Sequence, residues 1–257
     1  MRVDILCSGS KGNSTLVRCG STAILIDCGA SSKRYQMNAL EKVGCSLEDL
    51  DALLVTHKHS DHIKQLRFFA DLPIYSKVHL HCVDPKKNPV PLNWHELELD
   101  TPFTIGQITI TSFALSHDAG DTTGFVLEGG HKRLVYVTDT GYVRQELYPL
   151  LVNANCYIFE SNHDPEMLMH TARPMITKQR ILSDLGHLCN EDSAHTLCHL
   201  IGADTTNIVL AHLSEQANTE QLALSTLKRV LEENGLDDLP ITLQAARQNE
   251  VLSLESI

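Results

Sequence analysis

The chain has 257 residues, of which 42% are hydrophobic, so it is long enough to bury a substantial core. Its 21 Lys and Arg residues against 32 Asp and Glu residues give a formal net charge of -11, which argues against indiscriminate binding to nucleic acid. No apolar run approaches the roughly 20 residues needed to cross a bilayer. Asp4 also interrupts what would have to be the apolar segment of a signal peptide, so we expect a cytoplasmic protein without membrane contact.

The cysteine and histidine contents favour a histidine-ligated metal site over disulfides or a cysteine-based zinc finger. The eight cysteines are scattered and form no C-x-x-C pair, so we expect reduced, partly buried side chains rather than disulfides or a zinc finger. The fourteen histidines are a generous number, and histidine is the commonest metal-ligating side chain.

The first part of the chain alternates between strands and a helix. Short β-prone runs at 3–7, 15–19 and 22–27 precede a helical segment at 32–43 that stops at Gly44. The next run, 52–56, is almost entirely apolar, as expected for a strand that is buried on both faces. A Lys/Pro-rich segment at 84–91 is interpreted as a loop.

The second part repeats this progression. We predict strands at 108–116, 124–127, 133–138, 156–160 and 207–211, and helices at 175–186, 191–202 and 219–234. Both parts pass from antiparallel-looking strands into strand–helix alternation. The pattern predicts an α/β sandwich of two sheets with helices outside, in a single domain of two pseudo-duplicated halves, about 1–105 and 106–257.

A cluster of metal-ligand side chains follows the apolar run 52–56. His57, His59, Asp61 and His62 supply imidazole nitrogens and a carboxylate, which suit zinc, manganese or iron. The cluster has no cysteine, which favours a catalytic over a structural site. One short loop with this many ligands exceeds what a single tetrahedral ion easily accepts, so we expect two metal ions.

Segment 55–62, Val-Thr-His-Lys-His-Ser-Asp-His, resembles the signature of the metallo-β-lactamase superfamily. Further segments occur in the order expected for that family, at 8–14, 25–29, 116–118, 138–141, 160–164, 186–188 and 210–214. Together they are similar to the YycJ/WalJ (VicX) branch, a group regarded as phosphodiesterase- or nuclease-like. The resemblance implies a four-layer αβ/βα sandwich of two mixed sheets, with the metals at the top of the sheets.

The resemblance also implies a ligand set of two divalent ions, with Zn²⁺ expected and Mn²⁺ or Fe²⁺ left open. One ion would take His57, His59 and His117, the other would take Asp61, His62 and His212, and Asp139 would bridge them. The positions agree with the predicted strands, because His117, Asp139 and His212 each follow one, at the edge where open α/β sheets place ligands. Asp61 is also assigned a catalytic role.

Other polar residues are candidates for catalysis or substrate binding. His187 lies in a Gly-His pair that resembles the proton donor of related phosphodiesterases, although a phosphate contact or a structural role is the alternative. Ser10, Lys11 and Asn13 form a small polar loop whose backbone could meet a phosphate, or simply make a tight turn. Two roles stay open for His163, which are lining the active site and supporting its structure.

The expected function is a dinuclear hydrolase that cleaves phosphodiester bonds through a metal-bridging hydroxide, as an exonuclease-like DNA or RNA nuclease. Alternatives are hydrolysis of a small phosphodiester such as a cyclic nucleotide, thioester hydrolysis, and a non-enzymatic regulatory metal-binding role. The oligomeric state stays open. Basic residues that flank the motifs form either a phosphate-binding rim or ordinary surface: Lys11, Lys58, Lys64, Arg67, Lys86, Lys87, Arg173, Lys178 and Arg180.

Overall fold

Two seven-stranded mixed sheets form the centre of the computed structural model, which describes residues 1–83 and 89–257. In spatial order, the first sheet contains β16 (Leu252–Leu254), β1 (Arg2–Cys7), β2 (Ser14–Cys19), β3 (Thr22–Ile26), β4 (Ala52–Leu54), β5 (Ile74–Ser76) and β8 (Trp94–Glu96). The second contains β15 (Thr242–Ala245), β14 (Asn207–Ala211), β13 (Cys156–Glu160), β12 (Lys132–Val137), β11 (Thr123–Gly129), β10 (Ile108–Ala114) and β9 (Phe103–Ile105). A separate two-stranded ribbon pairs β6 (Cys82–Val83) with β7 (Pro89–Val90).

Seven α-helices accompany the sheets in residues 1–83 and 89–257. They are α1 (Lys33–Lys42), α2 (Ser60–Ile63), α3 (Tyr148–Leu151), α4 (Pro165–His170), α5 (Met175–Ile181), α6 (Asn190–Leu200) and α7 (Glu220–Glu233). Short 3-10 turns occur at Leu47–Asp49, Leu66–Phe68 and Gln145–Leu147. Within the described residues, no helix has the length and apolar character that a membrane span requires.

Both sheets change from antiparallel to parallel pairing in the same way. The strands β16, β1, β2 and β3 pair antiparallel, and β3, β4, β5 and β8 continue in parallel. In the second sheet, β9 to β12 pair antiparallel and β12 to β15 pair in parallel. The last strand of the chain belongs to the first sheet, and an origin in two duplicated halves stays a prediction.

Apolar side chains fill the three interfaces between the four layers of the sandwich. Side chains such as Ile26 and Phe125 meet between the two sheets, in a cluster that contains residues from both. A second cluster joins the outer face of the first sheet to α1, and a third joins the second sheet to α6 and α7. Each fully buried large apolar side chain contributes about 1.5–3 kcal/mol. The predicted four-layer α/β sandwich is confirmed.

The element boundaries differ from the predicted ones mainly near the site. The strand predicted at 52–56 ends at Leu54, the strand predicted at 22–27 ends at Ile26, and the helix predicted at 175–186 ends at Ile181. After Leu54 and after Ile26, the backbone leaves the sheet, and polar side chains such as His57 and Asp27 are buried there. The short strands β5, β8, β9, β15 and β16 and the helix α4 were missed, because so few residues carry no readable periodicity. Most of the loop predicted at 84–91, with Lys86 and Lys87, lies outside the described residues.

A close backbone contact fixes α2 against the loop that follows β3. The carbonyl of Asp61 accepts from Asn13 N at 2.8 Å, and the carbonyl of His62 accepts from Cys28 N at 2.8 Å. A Cβ placed on Gly29 would lie 1.6 Å from the Asp61 carbonyl oxygen, which is impossible without moving the backbone. Gly29 is therefore required for α2 to approach this loop.

We expect Gly29→Ala to lower the free energy of unfolding by about 1–3 kcal/mol, because the added methyl group must push α2 away. Thermal and urea denaturation of the variant would measure the change. The exposed neighbour Ser31 provides the control, since Ser31→Ala should stay within about 0.5 kcal/mol of the parent. Equal stability of Gly29→Ala and the parent would contradict this packing argument.

Candidate metal centre

The ends of four strands place the predicted ligands at one edge of the sandwich. In the second sheet, β10, β12 and β14 run in the same direction, so their carboxyl ends share this edge. His57 and His59 follow β4, Asp61 and His62 lie in α2, His117 follows β10, Asp139 follows β12 and His212 follows β14 directly.

Two of these strand ends, and the end of β3, use an uncommon backbone conformation. Asp27, Asp139 and His212 have φ angles of 58°, 59° and 56°, in the left-handed region. Residues other than glycine rarely adopt this conformation, and such residues cluster at functional sites. Here the turn directs a polar side chain back over the end of a buried strand.

The first group of ligand-type side chains contains three histidines. Nδ1 of His59 lies 3.3 Å from Nε2 of His117, and the ring of His57 lies 4.7 Å from the ring of His59. One nitrogen from each histidine falls within 4.8 Å of the others. Nε2 of His57 is buried and has no hydrogen-bond partner among the residues described.

The second group contains Asp61, His62 and His212. Oδ2 of Asp61 lies 3.6 Å from Nε2 of His62 and 3.6 Å from Nε2 of His212. Within the described part of the chain, Nε2 of His212 is buried without a hydrogen-bond partner. Both groups therefore aim bare imidazole nitrogens into a shared space.

Asp139 lies between the two groups. Its Oδ2 is 3.0 Å from Nε2 of His62, and its Oδ1 is 3.6 Å from Nε2 of His117 and 3.5 Å from Nε2 of His212. Oδ1 therefore lies near an imidazole of each group, and Oδ2 lies near His62 of the second group. This is the position that a bridging ligand requires.

The charges of these groups fit divalent cations. Burial lowers the pKa of His57 well below its usual value, so its ring is neutral and can offer a lone pair. Burial by itself would raise the pKa of Asp139, but His212 and His62 together lower it well below its usual range. A buried, ionised carboxylate requires a cation beside it. Imidazoles around an ionised carboxylate, with unsatisfied buried nitrogens, are a donor set for divalent metal ions.

A second layer of residues orients the histidines through their other ring nitrogens. Nδ1 of His62 lies 2.7 Å from Oδ2 of Asp27, and Nδ1 of His117 lies 3.0 Å from the carbonyl oxygen of Gly186. Nδ1 of His212 lies 3.0 Å from Oε1 of Glu160. Partners of this kind fix the tautomer and the direction of a metal-binding histidine.

Asp27 and Glu160 lie in sequence segments that resemble the family pattern, but no role was predicted for either residue. Both side chains are fully buried, and each stands at the end of an otherwise apolar strand. That placement is the signal that would have identified them, because a buried carboxylate needs a partner.

His187 shares Glu160 with His212. Its Nδ1 lies 2.8 Å from Oε1 of Glu160 and 3.6 Å from Oδ1 of Asp139, and its ring stacks on His212 at 5.3 Å. Burial would raise the pKa of Glu160, but His187 and His212 lower it, so the carboxylate is ionised. The other oxygen of Glu160 accepts from Thr140 N at 2.7 Å, which fixes the carboxylate in place.

The residues of the predicted substrate-binding loop have different environments in the structure. Nδ2 of Asn13 lies 3.0 Å from Nε2 of His62, so this buried side chain contacts the centre. Ser10 and Lys11 are exposed, and Lys11 forms an ion pair with Glu215. Asn13 also accepts from Gly9 N at 2.9 Å, which holds the loop in a tight turn.

His163 is buried beside the centre rather than open to the solvent. It is 1% exposed, and neither ring nitrogen has a hydrogen-bond partner among the residues that the structure covers. Burial lowers the pKa of His163 to about 4, with a smaller opposing contribution from Glu160. Its side chain is therefore neutral at physiological pH.

Comparison with known proteins identifies the class. A family model described as a β-lactamase superfamily domain matches residues 22–212. The structure of YhfI from Bacillus subtilis, a metallo-β-lactamase fold protein, superposes with a TM-score of 0.70 at 20% identity, covering 98% of each chain, and shows the shared fold. The chain belongs to the metallo-β-lactamase superfamily, whose fold implies divalent metal ions.

Two relatives narrow the assignment within this superfamily. Exodeoxyribonuclease YycJ of Bacillus anthracis is 36% identical over 240 residues, which cover 91% of this chain and 90% of that protein. Exodeoxyribonuclease WalJ of Streptococcus pneumoniae serotype 2 is 37% identical over 248 residues, with the same coverage of 91% and 90%. The resemblance to the YycJ/WalJ group is thereby confirmed.

We expect Asp27→Ala to weaken metal binding about 10- to 100-fold, because His62 loses the partner that orients it. Asp27→Asn should lose less, since the amide oxygen can still accept from the ring. Competition with a chromogenic chelator would measure both affinities, and circular dichroism would establish that each variant is folded. Unchanged affinity in a folded Asp27→Ala variant would show that His62 needs no orienting carboxylate.

We expect His163 to make the protein less stable as the pH falls from about 6.5 to 4. Its folded pKa lies below its unfolded value, so the stability contribution is present above 6.5 and is lost toward 4, where only the unfolded chain binds the proton. The loss approaches about 3 kcal/mol, at 1.36 kcal/mol per pKa unit. Urea unfolding of chelator-treated protein at several pH values would measure it.

The comparison is with His163→Gln, which should show a shallower dependence on pH than the parent. The exposed turn residue His131 serves as the matched control, and His131→Asn should leave the slope unchanged. Parallel pH profiles for the parent and His163→Gln would mean that His163 titrates normally.

Proposed function

We propose that this protein is a metal-dependent exonuclease that hydrolyses phosphodiester bonds of DNA. The relatives named as exodeoxyribonucleases align over 90% of their length with 91% of this chain, which supports a shared activity. The observation that carries the proposal is the Glu160–His187 pair beside the metal centre. A leaving alkoxide requires a proton donor, and this pair provides one next to the ligands. A cytoplasmic location stays the expectation from sequence.

We propose that two divalent ions, Zn²⁺ in the first instance, occupy the two groups. His57, His59 and His117 would hold one, Asp61, His62 and His212 would hold the other, and Asp139 would contact both. Nitrogen and oxygen donors without thiolates suit zinc in a catalytic site, and they also accept manganese or iron. Bound ions would activate water and neutralise charge on the phosphate oxygens.

Asp61 is the carboxylate best placed to act on the attacking water. Its side chain is 22% exposed, whereas that of Asp139 is almost completely buried. Burial would raise the pKa of Asp61, but His212 and His62 lower it, so Asp61 is ionised and can accept a proton. We therefore assign to Asp61 the orientation and deprotonation of the nucleophile.

His187 is assigned the opposite end of the reaction. Glu160 accepts from Nδ1, which leaves Nε2 as the nitrogen that can face a substrate. The contact with this ionised carboxylate holds the ring in one orientation. Protonated His187 would then deliver its proton to the departing oxygen, while Glu160 acts as a positioning residue.

The decisive experiment compares substrate classes. Metal-loaded protein should release nucleotides from end-labelled DNA and hydrolyse bis(p-nitrophenyl) phosphate, with weaker activity on cyclic nucleotides. Parallel reactions on single- and double-stranded DNA and RNA would establish the preference. Turnover of thioesters or β-lactams, without cleavage of any phosphodiester, would refute the proposal.

We expect His187→Ala to lower kcat on DNA about 10²- to 10⁴-fold, the usual contribution of a general acid, while the metal content is retained. The loss should be much smaller on bis(p-nitrophenyl) phosphate, because p-nitrophenolate leaves without a proton. Steady-state kinetics on both substrates and elemental analysis would measure these effects. Equal losses on both would point to phosphate positioning, and loss of metal would make His187 a ligand.

A further inference from the structure

An arginine stands beside the first group of histidines. Arg180 lies at the end of α5, and its Nε donates to Oδ2 of Asp118. The other oxygen of Asp118, Oδ1, lies 3.5 Å from Nε2 of His117 and 3.7 Å from Nε2 of His59. The guanidinium group is therefore separated from two of the predicted metal ligands by the width of one carboxylate.

The guanidinium group of Arg180 keeps most of its donors open. Among the residues that the structure describes, only its Nε has a hydrogen-bond partner, so both Nη groups are available. The side chain is 53% exposed, so a ligand from the solvent can reach these groups. Their N–H bonds lie in one plane and match the oxygens of a phosphate group.

The backbone on both sides of the ion pair is fixed by other contacts. Asp118 N donates to the carbonyl of Leu185 at 3.1 Å, and His187 N donates to the carbonyl of Ile181 at 3.0 Å. A partly exposed ion pair adds little stability by itself. The pair between Arg180 and Asp118 is therefore better explained as a device that directs the guanidinium group than as one that holds the loop.

Net charge would not attract an anion to this position. Asp118 balances the charge of Arg180, and the exposed Asp184 adds a negative charge in the segment that follows α5. Attraction must come from the open donors of the guanidinium group and from cations in the metal centre. Both act at short range, so the ligand has to be an anion that already lies at the centre.

The backbone of DNA meets this condition if the proposed function holds. The scissile phosphodiester would lie against the metal ligands, whereas Asp118 keeps Arg180 farther out. Arg180 is thus placed for the next phosphate along the strand rather than for the reacting one. A cyclic nucleotide or a small phosphodiester has no such second phosphate.

We propose that Arg180 binds the backbone phosphate next to the scissile phosphodiester, with Asp118 as the residue that positions its guanidinium group. This inference rests on the proposed function, and it names the feature by which the centre would favour a polymer over a small ester. A contact with the backbone reads neither base nor base pairing, so it applies to single and double strands alike.

The test combines Arg180→Gln with DNA in which a neutral methylphosphonate replaces one linkage. Two oligonucleotides carry it at the second linkage from the 5′ end or from the 3′ end, and the metal-loaded protein is used. On unmodified DNA, we expect Arg180→Gln to lower kcat/KM about tenfold relative to bis(p-nitrophenyl) phosphate, mainly through KM. On one of the modified substrates this deficit should vanish, because the partner of Arg180 is already missing.

Two further variants separate the roles of the pair. Arg180→Lys keeps the charge but loses the planar fork, so its KM on DNA should lie between those of the parent and Arg180→Gln. Asp118→Asn should raise KM less than Arg180→Gln does, because the amide oxygen still accepts from Nε. If Asp118 acts through Arg180, the deficit of Asp118→Asn should vanish on the same modified substrate.

Arg229→Gln is the matched control. The side chain of Arg229 is similarly exposed, at 47%, and it is also paired with carboxylates, those of Glu191 and Glu233. It belongs to α7, which packs on the outer face of the second sheet. Its ratio of kcat/KM on DNA to that on the small ester should equal the ratio of the parent. Melting temperatures would establish that every variant is folded.

Three outcomes would overturn the inference. They are an unchanged ratio in Arg180→Gln, a deficit that persists on both modified substrates, and loss of metal from Arg180→Gln in elemental analysis. The last result would make the ion pair a support of the histidines. Failure of the proposed function looks different, since the parent itself would then cleave neither DNA nor the small ester.

Discussion

The rest of the site depends on one buried charge, the carboxylate of Asp139. It is 2% exposed and ionised, and removing such a group from water costs on the order of several kcal/mol unless cations lie beside it. The imidazoles of His62, His117 and His212 surround it at 3.0–3.6 Å. In the absence of metal, the neighbouring carboxylates raise the pKa of His212 to about 10 despite its burial, so a proton supplies part of the required charge. Bound metal ions would supply it in full.

The surrounding structure serves to hold these side chains in one arrangement. Asp139 and His212 adopt left-handed backbone conformations at strand ends, and Gly29 lets α2 approach the β3 loop closely enough to place Asp61 and His62. Strain of this kind persists only where the surrounding packing determines it. The two layers of β-sheet, buried on both faces, provide that rigid support.

Charge is distributed unevenly over the molecule, and this reconciles an acidic chain with an anionic substrate. Some acidic side chains are paired with arginine, as in the pairs that Arg229 forms with Glu191 and Glu233. At the centre, Asp61 and Asp139 are the carboxylates that metal ions would neutralise. Beside the centre, Arg180 is paired with Asp118. Net charge therefore says little about which ligand a cleft accepts.

The sequence alone determined the sandwich and the ligand types. Strongly periodic or largely apolar runs, such as Asn207–Ala211, predict strands because they have the length of a strand that is buried on both faces. The cluster from His57 to His62 is local in the chain. Tertiary structure alone decided the partners. Glu160 contacts His187 and His212 across distant parts of the chain, and Asp27 reaches His62 from another strand. Such contacts depend on which strands are neighbours, and no local periodicity encodes that order.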